Sequence, residues 1–201
     1  MARIKCKVCR RVGESVCGRE KCAFKKRPYA PGVHGQNARR SSSEFGRQLA
    51  MKQKIKRIYG VLERQFRHHF EEASKLSGIT GDQLLSRLER RFDNVVYRLG
   101  FAVSRAQARQ LVGHKMFEVN GKRLNIASAE IKVGDVIKIK VSKQEKTYWK
   151  NLAETLATKQ DIPHWLALDV AKGEGRVIAL PNREDVGFSV DPQMVVEFYS
   201  K

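Results

Sequence analysis

Residues 88–112 read LERRFDNVVYRLGFAVSRAQARQLV, and this stretch decides the fold of the second half of the chain. Its apolar residues recur at helical spacing up to Leu99, which predicts a helix over residues 83–99. Ser104 then offers a side-chain oxygen to the free backbone N–H groups of a helix start. A second helix is therefore predicted over residues 105–112, directly before a glycine.

Turn signals follow these two helices. The pair Asn120-Gly121 predicts a tight hairpin, because both residues tolerate positive φ. Gly134-Asp135 predicts a second turn ahead of an alternating apolar segment. Strands are expected over residues 116–119, 123–126, 136–141, 165–169 and 176–180, with a further helix over residues 147–158.

The sequence upstream of residue 88 is helical and basic. Residues 44–75 carry apolar side chains at a helical period, and Gly60 is expected to bend that helix. One of the three serines at positions 41–43 is expected to cap it. We further expect a loop over residues 77–82 and a closing helix over residues 192–199, with Asp191 as the capping acid.

The chain carries a large and uneven positive charge. Its 201 residues hold 40 Lys and Arg against 21 Asp and Glu, a formal net charge of +19. Residues 1–60 hold 17 of the basic and 3 of the acidic residues, whereas residues 151–201 hold 5 and 8. Such a protein gains most by binding a polyanion, because each neutralised phosphate releases counterions. The polyanion is expected to meet the first three quarters of the chain.

The sequence disfavours a membrane protein and an enzyme. No apolar run approaches ~18 residues, and the N-terminus lacks the apolar core of a secretory signal. No P-loop, dinucleotide fingerprint or Ser/His/Asp order is present. His68 and His69 lie on a basic helix, while His34 lies in a Pro/Gly-rich loop where it could contact a phosphate or a base. We therefore expect a protein of the cytoplasm or of an organelle matrix that has no small-molecule substrate.

All four cysteines fall within the first 22 residues. Cys6, Cys9, Cys17 and Cys22 form C-x2-C, a spacer of seven residues, and C-x4-C. Four thiolates on a short segment can close a tetrahedral site for one zinc ion, and a segment with so few apolar residues needs such a link to hold a shape. The alternatives are two disulfides or four free thiols, and disulfides are disfavoured in the cytosol.

A basic face is expected on the helix–hairpin unit. Arg105 and Arg109 are four residues apart and share one side of a helix, so they can follow a phosphate backbone. Residues 120–123 at the hairpin tip could probe a groove or a junction. The alternative is a solvated charged face, in which Glu89 and Asp93 pair with some of the arginines.

Residues 88–112 resemble the signature of the S-four RNA-binding domain, and residues 117–139, FEVNGKRLNIASAEIKVGDVIKI, extend the likeness. Three other stretches resemble, more specifically, the family of small-subunit ribosomal protein four. These are residues 26–36 (KRPYAPGVHGQ), 53–66 (QKIKRIYGVLERQF) and 180–199 (LPNREDVGFSVDPQMVVEFY).

This resemblance implies a non-enzymatic constituent of the small ribosomal subunit. The family binds the 5′ domain of small-subunit rRNA early, at a multi-helix junction, and helps to nucleate assembly. It sits near the mRNA entry region beside ribosomal proteins three and five, and it influences decoding accuracy. Zinc-bearing members carry four cysteines near the N-terminus, with a longer spacer than is found here. The alternatives are an RNA-modifying enzyme with the same module, such as a pseudouridine synthase, and a zinc-dependent DNA-binding regulator.

The expected fold class is α+β. A helical N-terminal domain with a four-cysteine arm would precede an S-four-type domain of short helices and antiparallel strands, and a C-terminal helix would close the chain. The expected divisions are residues 1–48 (arm), 49–87 (helical domain, completed by 181–201), 88–150 (S-four domain) and 151–180 (extension). The candidate RNA-binding residues are Arg27, Tyr29, His34, Arg39, Arg40, Lys52, Lys56, Arg57, Arg64, Arg90, Arg91, Arg98, Arg105, Arg109, His114, Lys115, Lys122 and Arg123.

Overall fold

A computed structural model of the chain separates into two compact units, Met1–Leu84 with Phe188–Lys201, and Leu85–Gly187. The finer domain boundaries expected from the sequence stay a prediction. The structure describes residues 6–17, 21–37, 43–140, 142, 148–149, 162–170 and 172–200. Arg39, Arg40, two of the three candidate cap serines, Val141 and nearly all of the helix expected over residues 147–158 lie outside those ranges.

The first unit is helical in its described residues. Its helices are α1 (Cys6–Val12), α2 (Ala23–Lys26), α3 (Glu44–Ile58), α4 (Glu63–Ser74), the start of α5 (Thr80–Glu89) and the C-terminal α8 (Gln193–Tyr199). Ser43 caps α3, since its hydroxyl accepts a hydrogen bond from the backbone N–H of Gly46 at 3.2 Å. This confirms the predicted serine cap. Helix α8 packs on α3 and begins at Gln193, one residue later than expected. Asp191 accepts a hydrogen bond from the N–H of Gln193 at 3.2 Å, but the N-cap residue is Pro192 instead of Asp191.

The prediction of one bent helix over residues 44–75 is wrong, because the structure has two separate helices. Helix α3 ends at Ile58, and Gly60 adopts a φ of 62°, which no α-helical residue has. The glycine therefore ends the helix instead of bending it. Phe66 is buried as expected, but Leu62, which falls in the break, is 62% exposed.

The helix predicted over residues 83–99 is also divided. Helix α5 begins at Thr80, inside the expected loop, and α6 covers Phe92–Arg98. Between them Arg91 is extended and forms an isolated β-bridge with Glu130. The apolar positions still point inward as predicted: Leu84, Leu85, Leu88, Phe92, Val95 and Leu99 are all buried.

The second unit packs α6 and α7 (Arg105–Gly113) against a sheet. Ser104 caps α7, because its hydroxyl accepts from the N–H of Gln107 at 3.3 Å. The strands are β1 (Phe117–Val119), β2 (Lys122–Arg123), β3 (Val136–Ile139), β4 (Leu166–Asp169) and β5 (Glu174–Val177), followed by a short 3-10 helix, Arg183–Val186. All paired strands are antiparallel, in the order β2-β1-β3-β5-β4.

Several strand boundaries differ from the prediction. Strand β2 stops at Arg123, so the expected strand over residues 123–126 does not form. Strand β3 ends at Ile139, two residues before the expected end. Strand β5 covers Glu174–Val177 instead of residues 176–180, and its register places Gly175 opposite Ile137 and Leu168. The Asn120-Gly121 hairpin is confirmed, with φ values of 51° and 75°.

One hydrophobic core fills the second unit. Phe92, Phe101, Phe117 and Trp165 are completely buried. Strand β3 adds two alternate residues to the same cluster, Ile137 and Ile139, and β5 adds Val177. The opposite face of the sheet is polar. Among the described residues, none of the helices combines the length and the apolar composition that a membrane span requires.

Candidate nucleic-acid interface and cysteine cluster

The first turn of α6 holds one arginine of α7 through Asp93. The Arg109 guanidinium donates to the Asp93 carboxylate at 3.3 Å, and Arg91 donates to the same oxygen at 3.0 Å. Burial raises the pKa of Asp93, and the two arginines act against that rise. Arg91 is only 1% exposed, so it balances the charge of Asp93 inside the protein.

The next residue, Asn94, holds the other arginine of α7. Its amide oxygen accepts from Nε of Arg105 at 2.7 Å, and its amide nitrogen donates to the backbone and side-chain oxygens of Glu89 at 2.8 and 2.7 Å. The Arg105 guanidinium also stacks on Tyr97, 4.6 Å from the ring centre. Arg98 makes two bonds to the fully buried Glu89 carboxylate, at 2.9 and 2.7 Å.

Some arginines of the helix–hairpin unit are therefore paired with acidic residues, which is the alternative that the sequence left open. Arg98 is paired with Glu89, Arg91 with Asp93, and Arg90 with Glu130 at 2.5 Å. These side chains secure α5, α6 and the segment before β3. Whether any of them also contacts RNA stays a prediction.

Four candidate residues at the far end of α7 and on the hairpin are exposed. His114 and Lys115 follow the helix, and Lys115 adopts a φ of 59° that turns the chain into β1. Lys122 and Arg123 form β2, at the edge of the sheet. No salt bridge of Lys115, Lys122 or Arg123 occurs among the described residues, so their charges are available to a ligand.

In the first unit, two candidate lysines serve an internal contact. Lys52 and Lys56 each donate to a different oxygen of Glu63 at 2.6 Å, and Tyr199 of α8 donates to the same carboxylate at 3.0 Å. Burial alone would raise the pKa of Glu63, but these three hydrogen bonds lower it to about 2. Lys52 also lies over the ring of Phe198, 4.3 Å from its centre.

The other candidates of this unit are more accessible. Arg27, His34 and Arg64 are exposed. Arg57 is half-buried, and burial together with the nearby charge of Arg11 lowers its pKa. A site where two guanidinium groups repel one another favours an anion.

The loop over residues 27–35 is fastened by Arg10, which sequence reasoning did not single out. Nε of Arg10 donates to the carbonyl of Tyr29 at 2.9 Å, and its terminal nitrogen donates to Ala30 at 3.2 Å. The guanidinium also covers one face of the Tyr29 ring at 4.7 Å. The loop closes so tightly that a Cβ at Gly35 would lie 1.8 Å from the carbonyl oxygen of Ala30.

The cysteines come together as the spacing predicts. The Sγ atoms of Cys6, Cys17 and Cys22 lie within 4.8 Å of one another. Cys9 is also buried, and the neighbouring thiols of Cys17 and Cys22 contribute to a rise in its pKa. Both cysteines of the C-x2-C pair lie on α1, where their spacing of three residues places Cys6 and Cys9 on one face of the helix.

The donor set fits a zinc ion. Zinc–sulfur bonds of ~2.3 Å in a tetrahedron would bring the three clustered Sγ atoms of Cys6, Cys17 and Cys22 only modestly closer together. Burial raises the pKa of Cys9 to about 12, so its thiol stays protonated without a metal. Burial would also raise the pKa of Cys22, but hydrogen bonds, first among them that with Ser15, lower it to about 7. A metal that replaces protons on all four thiols would remove the cost of burying them.

Two family models match consecutive parts of the chain. The model described as "Ribosomal protein S4/S9 N-terminal domain" matches residues 2–89, and the model described as "S4 domain" matches residues 90–137.

Curated relatives match over nearly their full length. A small ribosomal subunit protein uS4 from Caldicellulosiruptor saccharolyticus is 53% identical, with 98% of this chain and 96% of the relative covered. The uS4 protein of Chloroflexus aurantiacus is 51% identical, with 97% and 96% covered. That of Solidesulfovibrio magneticus is 47% identical, with 98% and 97% covered.

Proposed function

Because this chain belongs to the family of small ribosomal subunit protein uS4, we propose that it is a structural constituent of the small ribosomal subunit that binds small-subunit rRNA and catalyses no reaction. Its proposed location is the cytoplasmic ribosome. The observation that supports RNA binding most strongly is the exposed row of cations from α7 to the hairpin, including Lys115, Lys122 and Arg123, on a rigid core. Cations on a fixed scaffold can follow the phosphate positions of a folded RNA, whose bases are hidden in a narrow groove.

The proposed binding site lies in the 5′ domain of the rRNA, at a junction of several helices. Each compact unit carries exposed cations, with Arg64 and Arg27 in the first and the hairpin in the second. A protein with two basic units can contact phosphates of several RNA helices and fix their mutual angle. Early binding of this kind would help to nucleate assembly of the subunit.

A second set of proposals concerns the position of the protein within the subunit. We propose that the protein lies beside ribosomal proteins three and five of the same subunit, near the path by which mRNA enters, and that substitutions in it alter decoding accuracy. Residues 151–201 support a protein-facing role, because they hold more acidic than basic side chains.

We further propose that Cys6, Cys9, Cys17 and Cys22 hold one zinc ion with a structural role. The support is the cluster of three Sγ atoms within 4.8 Å of one another and the buried Cys9 beside them. The ion would link α1 to the start of α2. It would thereby hold the arm that carries Arg27 and the tight loop fastened by Arg10.

A footprint on naked small-subunit rRNA tests the proposed function. Purified protein should protect backbone positions confined to one junction of the 5′ domain, and the protection should weaken as salt rises. Protection spread evenly over the transcript would refute specific binding. Cofractionation of the protein with small subunits from lysates gives an independent check.

A further inference from the structure

Two neighbouring residues of α6 each hold one arginine of α7. Asp93 accepts from Arg109 at 3.3 Å, and Asn94 accepts from Arg105 at 2.7 Å. The two arginines are one helical turn apart on α7. Asp93 and Asn94, which are adjacent on α6, therefore hold both guanidinium groups.

The orientation of Asn94 is determined by its other contacts. Both hydrogens of its amide are used on oxygens of Glu89, at 2.8 and 2.7 Å. The amide oxygen must therefore face Arg105, which also lies on the ring of Tyr97. Asn94 itself is 1% exposed, so it cannot reach a ligand directly.

The two carboxylates of this network are also paired. The carboxylate of Glu89 is matched by Arg98, and that of Asp93 is shared by the buried Arg91 and by Arg109. Arg105 is held by its hydrogen bond to the neutral Asn94 and by its stacking on Tyr97.

We propose that Asp93 and Asn94 are positioning residues that hold the guanidinium groups of Arg109 and Arg105 at a fixed separation for two phosphates of the bound RNA. The proposal rests on the proposed function and adds residues that act through the arginines. A fixed guanidinium loses less conformational freedom when it binds. Releasing one long side chain from such a contact costs about two- to tenfold in affinity.

The test uses the full-length protein and a transcript of the rRNA 5′ domain, with dissociation constants measured over a range of salt concentrations. Asn94→Ser should weaken binding about two- to tenfold without changing the slope of log K against log salt, because the charge of Arg105 remains. Arg105→Ala should weaken binding and reduce the slope by up to ~0.9, the value for one phosphate on duplex DNA. Adding Asn94→Ser to Arg105→Ala should then change affinity no further.

A matched control is Val95→Ala, a substitution in the hydrophobic core of the same helix. Any effect of Val95→Ala on binding should be the same with or without Arg105→Ala, since it does not act through that arginine. If the effect of Asn94→Ser is likewise independent of Arg105→Ala, the proposal is overturned.

Arg105→Lys keeps the test decisive if Asn94→Ser fails to fold. Lysine retains the charge but lacks the Nε–H that Asn94 accepts, so it should weaken binding at an unchanged slope. Wild-type affinity for Arg105→Lys would overturn the proposal. If Arg105→Ala itself binds like wild type at the same slope, then the proposed RNA face is wrong. A loss for Arg105→Ala alone would refute only the positioning role.

Discussion

The carboxylate of Glu63 accepts hydrogen bonds from Lys52 and Lys56, 2.6 Å from each ammonium group. Tyr199 of α8 donates to the same carboxylate at 3.0 Å, so this one side chain ties the C-terminal helix to α3 and α4. The sequence alone predicts that Lys52 and Lys56 bind RNA, because they lie on the polar side of a helix. A periodic pattern identifies which side of a helix is polar, but it does not reveal which polar residues find partners from distant parts of the chain.

We predict that Glu63→Gln destabilises the protein at neutral pH. The folded-state pKa of Glu63 lies at about 2, below its ordinary value of 4.5, so its stabilisation is present above pH ~4.5 and is lost as the pH falls towards 2. Urea denaturation of both proteins at several pH values measures the difference in unfolding free energy. That difference should shrink on acidification.

Glu71→Gln provides the control for this prediction. Glu71 pairs with Arg67 on the exposed surface of the same helix, where an ion pair contributes little. An equal loss of stability for both variants, or a loss for Glu63→Gln that does not depend on pH, would contradict the role assigned to Glu63.

Arg109→Ala should weaken binding to small-subunit rRNA, since Arg109 is 35% exposed on the proposed interface. The slope of log K against log salt should fall by up to ~0.9 if the side chain neutralises one phosphate. Filter binding at several salt concentrations measures it. Arg176→Ala, an exposed residue on the polar face of the sheet outside the candidate set, serves as the comparison, and equal changes in slope for both variants would count against the α7 face.

Helix α6 shows what the sequence could and could not predict about elements. Ser104 and Asn120-Gly121 were located correctly, because caps and tight turns are decided by neighbouring residues. The break before α6 was missed because its cause is distant in sequence. The backbone N–H groups of Phe92 and Asp93 donate to the carbonyls of residues 129 and 127, and a continuous helix would lose both bonds.

The same distinction between local and distant contacts applies to the candidate sites. The four cysteines could be grouped from spacing alone, because they lie within 17 consecutive residues. Sequence reasoning did not assign the contacts of Arg10 and Asn94, since their partners are fixed by tertiary contacts. Periodicity does place Asn94 among the buried residues of α6, and a buried asparagine needs partners for its amide. That requirement is the one signal that could have identified it.

Strand β5 comes very close to the end of α6 at Gly175. A Cβ added there would lie 2.4 and 2.7 Å from the two methyl carbons of Leu99, which is completely buried. We predict that Gly175→Ala destabilises the second unit by ~1–3 kcal/mol through overpacking. Chemical denaturation of the variant measures this loss.

Gly113→Ala is the matched control, because a Cβ at this last residue of α7 meets no atom within 4 Å. It should be neutral or stabilising by up to ~1 kcal/mol, since alanine loses less backbone freedom than glycine. A destabilisation of Gly113→Ala as large as that of Gly175→Ala would contradict the close packing of β5 against α6.

The chain as a whole combines two units with different means of stabilisation. The second unit has a continuous hydrophobic core, whereas the described start of the first unit buries mainly cysteines and Val16. A segment with so small an apolar core depends on cross-links for its shape. The proposed zinc ion would supply them.

We predict that protein purified without chelators contains about one equivalent of zinc. Removal of the metal, or Cys17→Ser, should loosen residues 6–37 and weaken rRNA binding, while the second unit keeps its unfolding transition. Metal analysis and hydrogen exchange measure the two effects. Full protection of the arm in metal-free protein would refute the structural role of zinc.

The central claim is that a cationic scaffold recognises folded ribosomal RNA through its sugar–phosphate backbone. Its most direct test is competition binding to the small-subunit rRNA at moderate salt, with unlabelled transcript or an unrelated acidic polymer such as heparin as competitor. Binding should weaken steeply as salt rises, and unlabelled transcript should displace the bound RNA far more effectively than heparin does. Failure to bind, or equal displacement by heparin at equal charge, would contradict it.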